Sequence, residues 1–132
     1  MKSSQLSTYN SQLNKGPLWN KSFAFALRVV KLTKFLQAEK KEYVLSKQVV
    51  RSGTAIGALV REAEHAESKA DFIHKMNIAL KEANETLYWL EQLHGSEYID
   101  QQSFESIRKD SEELVKLLVS IVKTSKGAKR VE

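Results

Sequence analysis

The sequence contains no cysteine, which removes disulfides, thiolate metal sites and cysteine nucleophiles together and leaves stability to packing. It has one proline and five glycines, too few to turn a chain through the many corners of a stranded sheet. With alanine, leucine, lysine and glutamate abundant, the composition reads as helix. No apolar run approaches the roughly 20 residues of a membrane span, and the Ser-, Asn- and Gln-rich first twenty residues hold no continuous apolar stretch. With neither signal nor anchor in view, the cytoplasm is the expected location and no membrane partner is expected. The 132 residues, 42% of them hydrophobic and 28% charged, suit one folded domain and leave no room for a separate catalytic one.

The net charge of +5 hides an asymmetry. Residues 1–61 hold eleven Lys/Arg against two Asp/Glu, whereas residues 62–132 hold ten against fourteen. A chain divided in this way attracts a polyanion through its basic half, or a second copy of itself, basic half to acidic half.

Periodicity predicts four helices. Residues 1–16 have none and end at Gly16-Pro17, so they read as a flexible arm before a bundle over 17–125 and a basic tail over 126–132. The first helix is expected from about Asn20, as N-cap, to Ala38. Phe23, Phe25, Ala26, Val29, Val30, Leu32 and Leu36 spread over an apolar sector roughly 200° wide, against the ~100° stripe that one core contact needs. Beyond the charged link Glu39-Lys40-Lys41-Glu42, the second helix is expected from Tyr43 to Glu67, with Leu45, Val49, Ile56, Leu59, Val60 and Ala63 inward. Gly53 and Gly57 interrupt it, each costing about 1 kcal/mol relative to alanine, which points to a backbone closely approached by another helix or chain.

Ser68-Lys69-Ala70-Asp71 resembles a capping box and opens the third helix, which is expected to stop at Gly95. It carries Phe72, Met76, Ala79, Leu80, Ala83, Leu87 and Leu90 on one face, with Ile78 and Trp89 on another. Asp100 caps the fourth, from Gln101 to Thr124, with Phe104, Ile107, Leu114, Leu118 and Ile121 inward. Short links between helices of five to seven turns give an all-α, antiparallel up-down-up-down four-helix bundle in a single domain. The surplus apolar area on the first and third helices predicts a homo-oligomer, with Phe25, Val29, Leu32, Gly53, Gly57, Ile78 and Trp89 as candidate interface residues.

Chemistry is harder to find. Glu-x-x-His occurs at Glu62/His65 and at Glu91/His94, the spacing that supplies metal ligands in di-iron bundles, but in antiparallel helices the two pairs fall about 35 to 40 Å apart. No metal site or cofactor is expected. Serines, histidines and acids do not converge as a catalytic group, and Gly53-Thr-Ala-Ile-Gly57 lacks the lysine of a phosphate loop. An enzyme is not expected and no catalytic residue is assigned. What remains is a cation cluster, Lys21, Arg28, Lys31, Lys34, Lys40, Lys41, Lys47, Arg51 and Arg61, able at most to bind a nucleic-acid backbone without reading its sequence.

From Lys21 to Leu93 the chain resembles the bacterial four-helix-bundle proteins encoded in intervening sequences of 23S ribosomal RNA genes. The stretches that carry the resemblance are Lys-Ser-Phe-Ala-Phe-Ala-Leu-Arg-Val-Val at 21–30, Glu-Tyr-Val-Leu-Ser-Lys-Gln-Val-Val-Arg-Ser-Gly-Thr-Ala-Ile-Gly at 42–57, Glu62-Ala63, Ser-Lys-Ala-Asp-Phe-Ile at 68–73 and Ile-Ala-Leu-Lys-Glu-Ala-Asn-Glu-Thr-Leu-Tyr-Trp-Leu at 78–90. The resemblance implies an up-down four-helix protomer. Through the related accessory variability determinants of diversity-generating retroelements, it also implies a ring-like pentamer whose basic surface contacts RNA or DNA and a reverse transcriptase. For Arg51-Ser52-Gly53, Gly57 and Glu62 it implies structural or interface roles, and a "ribosomal" name in such a family does not imply membership of the ribosome. Two readings follow: a non-enzymatic pentameric scaffold binding nucleic-acid backbone, or a pure interaction scaffold in which basic and acidic halves pair between subunits.

Overall fold

The structure, a computed structural model, describes residues 16–131, with side chains through Gly127. Residues 1–15, most of the expected arm, lie outside the described residues. Four helices follow in order: α1 (Pro17–Glu39), α2 (Leu45–Ala63), α3 (Lys69–Gly95) and α4 (Gln101–Val131). Cross-helix pairs fix the directions. Arg51 meets Glu82 and Glu85 while Glu62 meets Lys75, so α2 and α3 run antiparallel; Lys21 meets Glu113 while Arg28 meets Asp110, so α1 and α4 do too. The core lies along the bundle axis, with Phe25, Val29 and Leu36 from α1, Val49, Ile56 and Val60 from α2, Phe72, Met76 and Leu90 from α3, and Leu114 and Leu118 from α4. The three closely packed seams are those between successive helices; α1 and α4 form the fourth, looser one.

The helix ends depart from the sequence reading in instructive ways. α1 begins at Pro17 behind an extended Gly16, not at Asn20, because proline's fixed φ and missing N–H suit the first helical position. α2 is shorter than expected at both ends. Its N-terminal amides are taken by Glu42, whose carboxylate accepts from the N–H groups of Val44, Leu45 and Ser46 at 3.0, 2.8 and 2.7 Å. At α3 the capping arrangement forms as expected: the Asp71 N–H donates to the Ser68 hydroxyl at 3.0 Å, and the Asp71 carboxylate accepts from the Glu67 N–H. α3 ends at Gly95 as expected, though that glycine is not in the left-handed conformation. That conformation falls to Glu97 (φ 66°), while the Tyr98 and Glu97 amides donate back to the carbonyls of Leu93 and His94, a Schellman closure with a non-glycine residue in the left-handed position. Asp100 caps α4 through the Ser103 N–H at 2.8 Å, and α4 then continues through Val131 rather than ending at Thr124.

Candidate nucleic-acid interface

The nine candidate cations separate into two groups. Four are engaged inside the protomer. Lys21 pairs with Glu113 at 2.5 Å, and Arg28 with Asp110 at 2.7 Å and with the Ser106 hydroxyl at 2.6 Å, so both bridge the loose α1–α4 seam. Arg51 reaches Glu82 and Glu85 on α3. Arg61 lies over the Trp19 ring, 4.1 Å from its centroid, and 5.4 Å from that of Phe23. Each of these pairs is partly exposed, so each contributes at most about 1 kcal/mol. They also lower the positive charge that this part of the surface presents.

The other five, Lys31, Lys34, Lys40, Lys41 and Lys47, are all exposed and have no acidic partner among the described residues. They lie on the last three turns of α1, the α1–α2 link and the first turn of α2, at one end of the bundle. The link is held in shape there. The Leu36 carbonyl accepts from the Lys40 and Glu42 amides, Lys41 takes a left-handed φ of 54°, and its ammonium donates to the Ala38 carbonyl. Within the cluster, Glu39, at the end of α1, is exposed, while Glu42 is 6% exposed and faces the α2 amides. Burial works against its charge, but the backbone donors and the Ser46 hydroxyl outweigh it and hold the carboxyl below its ordinary value.

The candidate interface residues are placed differently from their expected role. Phe25 and Val29 are 2% and 0% exposed, so they have no surface left for a second copy; the exposed Phe23 and Leu27 lie on nearly the opposite side of the helix. Leu32, Ile78 and Trp89 are half-buried, and the Trp89 indole N–H donates to Glu85 at 3.1 Å. Gly53 lies under Val29 and Gly57 under the Ser22 carbonyl, so the close approach that the glycines forecast is that of α1 to α2. The apolar side chains left in water on α1 are Phe23, Leu27 and Phe35.

Arg51-Ser52-Gly53 is a junction of three helices. Arg51 binds α3 through two carboxylates, the Ser52 hydroxyl lies 2.9 Å from that of Thr86 in the buried α2–α3 seam, and Gly53 admits Val29 of α1. The Ser52 hydroxyl donates to the Gln48 carbonyl, and the single Thr86 proton is in reach of both Ser52 and the Glu82 carbonyl, so neither hydroxyl is left unpaired where that would be costly. Thr86 and Glu42 were not marked by periodicity; an acid three residues before the first residue of a helix was the available sign for the second.

The histidines do not gather. His65 and His74 are exposed, and the His94 ring is stacked flat on Phe104, with centroids 4.4 Å apart and planes 3° apart. Glu62 faces Lys75 at 3.0 Å.

The sequence model of the 23S rRNA-intervening sequence protein family matches residues 14–120. The chain belongs to this family. A solved family structure, a protein of unknown function from the S23 ribosomal protein family of Bacteroides thetaiotaomicron VPI-5482, is 61% identical; the match covers 80% of this chain and 95% of that one, with a TM-score of 0.80. No curated protein matches the chain. Among the described residues of this intervening-sequence family member, no helix is long and apolar enough to cross a membrane.

Proposed function

We propose that the chain is a non-enzymatic cytoplasmic scaffold that self-associates as a pentamer and binds the backbone of RNA or DNA through the lysines at the α1–α2 end. The observation that carries this reading is the set of five exposed lysines without acidic partners, collected on about 17 residues of chain while the other candidate cations are engaged inside the protomer. Cation density of this kind gains by releasing the counterions of a polyanion, and it needs no base-reading motif. The same internal ion pairs weaken the other reading, because Glu82, Glu85, Asp110 and Glu113 already have basic partners in their own subunit.

The test is retention of a single-stranded RNA across a salt series. For the unaltered protein the log–log slope should be about −0.7 per phosphate neutralised. Replacing Lys34, Lys40, Lys41 and Lys47 with glutamine should flatten the slope and abolish retention while native mass spectrometry shows the assembly unchanged. RNA retention that is absent from the unaltered protein, or indifferent to salt, removes the nucleic-acid role. Loss of assembly in the lysine variant favours pairing of basic and acidic halves between subunits.

A further inference from the structure

Where α1 and α4 diverge, a cleft of about 790 Å³ opens at the same end of the bundle as the free lysines. Its walls combine three kinds of side chain. Phe35 of α1, 44% exposed, faces across to His94 and Tyr98 at the end of α3, and Lys31 and Lys40 stand on the α1 side. The seam is open here because the residues joining α1 to α4 further along, Arg28 with Asp110 and Lys21 with Glu113, hold the helices by long polar side chains rather than by interlocked apolar ones.

Such a volume lies within the range of small-ligand sites, and the lining defines the ligand's chemistry. The Lys40 Nζ lies over the exposed Phe35 ring, 5.9 Å from its centroid; a flat ring joined to an anion would stack on that face and take the displaced ammonium at its anionic group. The His94 ring on this wall is stacked flat on Phe104. The N-terminus of α4 is not the anion's place, since the Asp100 carboxylate stands there and accepts from the Ser103 N–H, and Arg28, also in the lining, is paired with Asp110, which leaves Lys31 and Lys40. Glu97, which also lines the cleft and has no side-chain partner among the described residues, is an acceptor suited to the amino group on a base edge.

We propose that this cleft receives one unstacked base, with its phosphate, from a single-stranded nucleic acid. The proposal rests on the nucleic-acid reading above and sharpens it. A duplex keeps its bases stacked and paired and can offer the lysines only its backbone, whereas a single strand can offer both base and phosphate. The protein should therefore prefer single strands, and the preference should depend on Phe35.

Fluorescence anisotropy on the full chain tests this, with a labelled 12-nucleotide RNA, the matching duplex, and free CMP and AMP as competitors. Phe35→Ala should weaken the single strand by about 5- to 140-fold, the range for losing one stacked base, and leave duplex affinity and its salt slope unchanged. Phe35→Tyr should restore the single-strand affinity. Tyr98→Ala, on the opposite wall, should weaken the single strand selectively as well, and circular dichroism on each variant confirms that the helices persist. Equal affinity of Phe35→Ala and unaltered protein for the single strand, with both still binding the duplex, overturns the cleft and spares the backbone reading. Absence of all binding overturns both. Tight binding of CMP or AMP without binding of the strand also overturns the proposal, in favour of a free nucleotide as the ligand.

Discussion

Gly53 and Gly57 stand four residues apart on α2, and their sequence spacing treats them alike, yet their surroundings differ. A Cβ on Gly53 would come within 2.9 Å of both Val29 methyls, whereas on Gly57 it would meet the Ser22 carbonyl oxygen at 3.4 Å, an ordinary contact. Val29 is fully buried and β-branched, so it has one favoured rotamer in a helix and cannot turn aside. Gly53→Ala should gain about 1 kcal/mol of helix propensity but lose more to overpacking, which costs about 1–3 kcal/mol, and Val29→Ala in the same chain should relieve part of that loss. Gly57→Ala should stabilise by up to about 1 kcal/mol. Urea midpoints for the three variants check the signs; two glycine variants shifted equally downward would contradict this account.

At the scale of the element, α2 depends on Glu42, a residue that composition places in a charged link. It satisfies three of the four amides that a helix start leaves open. Glu42→Gln keeps the shape but removes the charge and one acceptor, and should cost about 1–2 kcal/mol at neutral pH. Because the native carboxyl titrates below the ordinary value of 4.5, its contribution is complete above that value and is lost as pH falls through the lower native value. The stability gap between the two proteins should therefore be constant from pH 6 to 8 and close in acid. A gap that persists at pH 2 would show that Glu42 acts through packing alone.

For the whole molecule, the question is what covers the outer face of α1. Phe23 and Leu27 are each 52% exposed and lie one turn apart, a pairing that a lone subunit would leave in water. Phe23→Glu with Leu27→Glu should dissolve the assembly seen by native mass spectrometry while helix content stays constant, since neither side chain belongs to the protomer core. An unaltered protein that is a lone subunit at micromolar concentration would remove self-association. The charge asymmetry of the chain takes on a different meaning at this scale: folding brings Lys21, Arg28 and Arg51 of the basic half against Glu113, Asp110, Glu82 and Glu85 of the acidic half.

The four helices, their antiparallel order and the caps at Ser68 and Asp100 were legible in the sequence, because periodicity and capping are set by residues within a turn or two of one another. The resemblance carried by Lys21 to Leu93 was enough to name the family. Three things were decided only when the helices packed. One was which part of α1's wide apolar sector turned inward, which took Phe25 and Val29 out of any interface and left Phe23 and Leu27 exposed. Another was which cations met an acid across a seam, which separated Arg28 and Arg51 from Lys34 and Lys47 although all four look alike along the chain. The last was the cleft beside Phe35, which exists because α1 and α4 are far apart in sequence and held together by polar side chains. Each depends on distances between helices, and a periodic pattern within one helix carries no information about those.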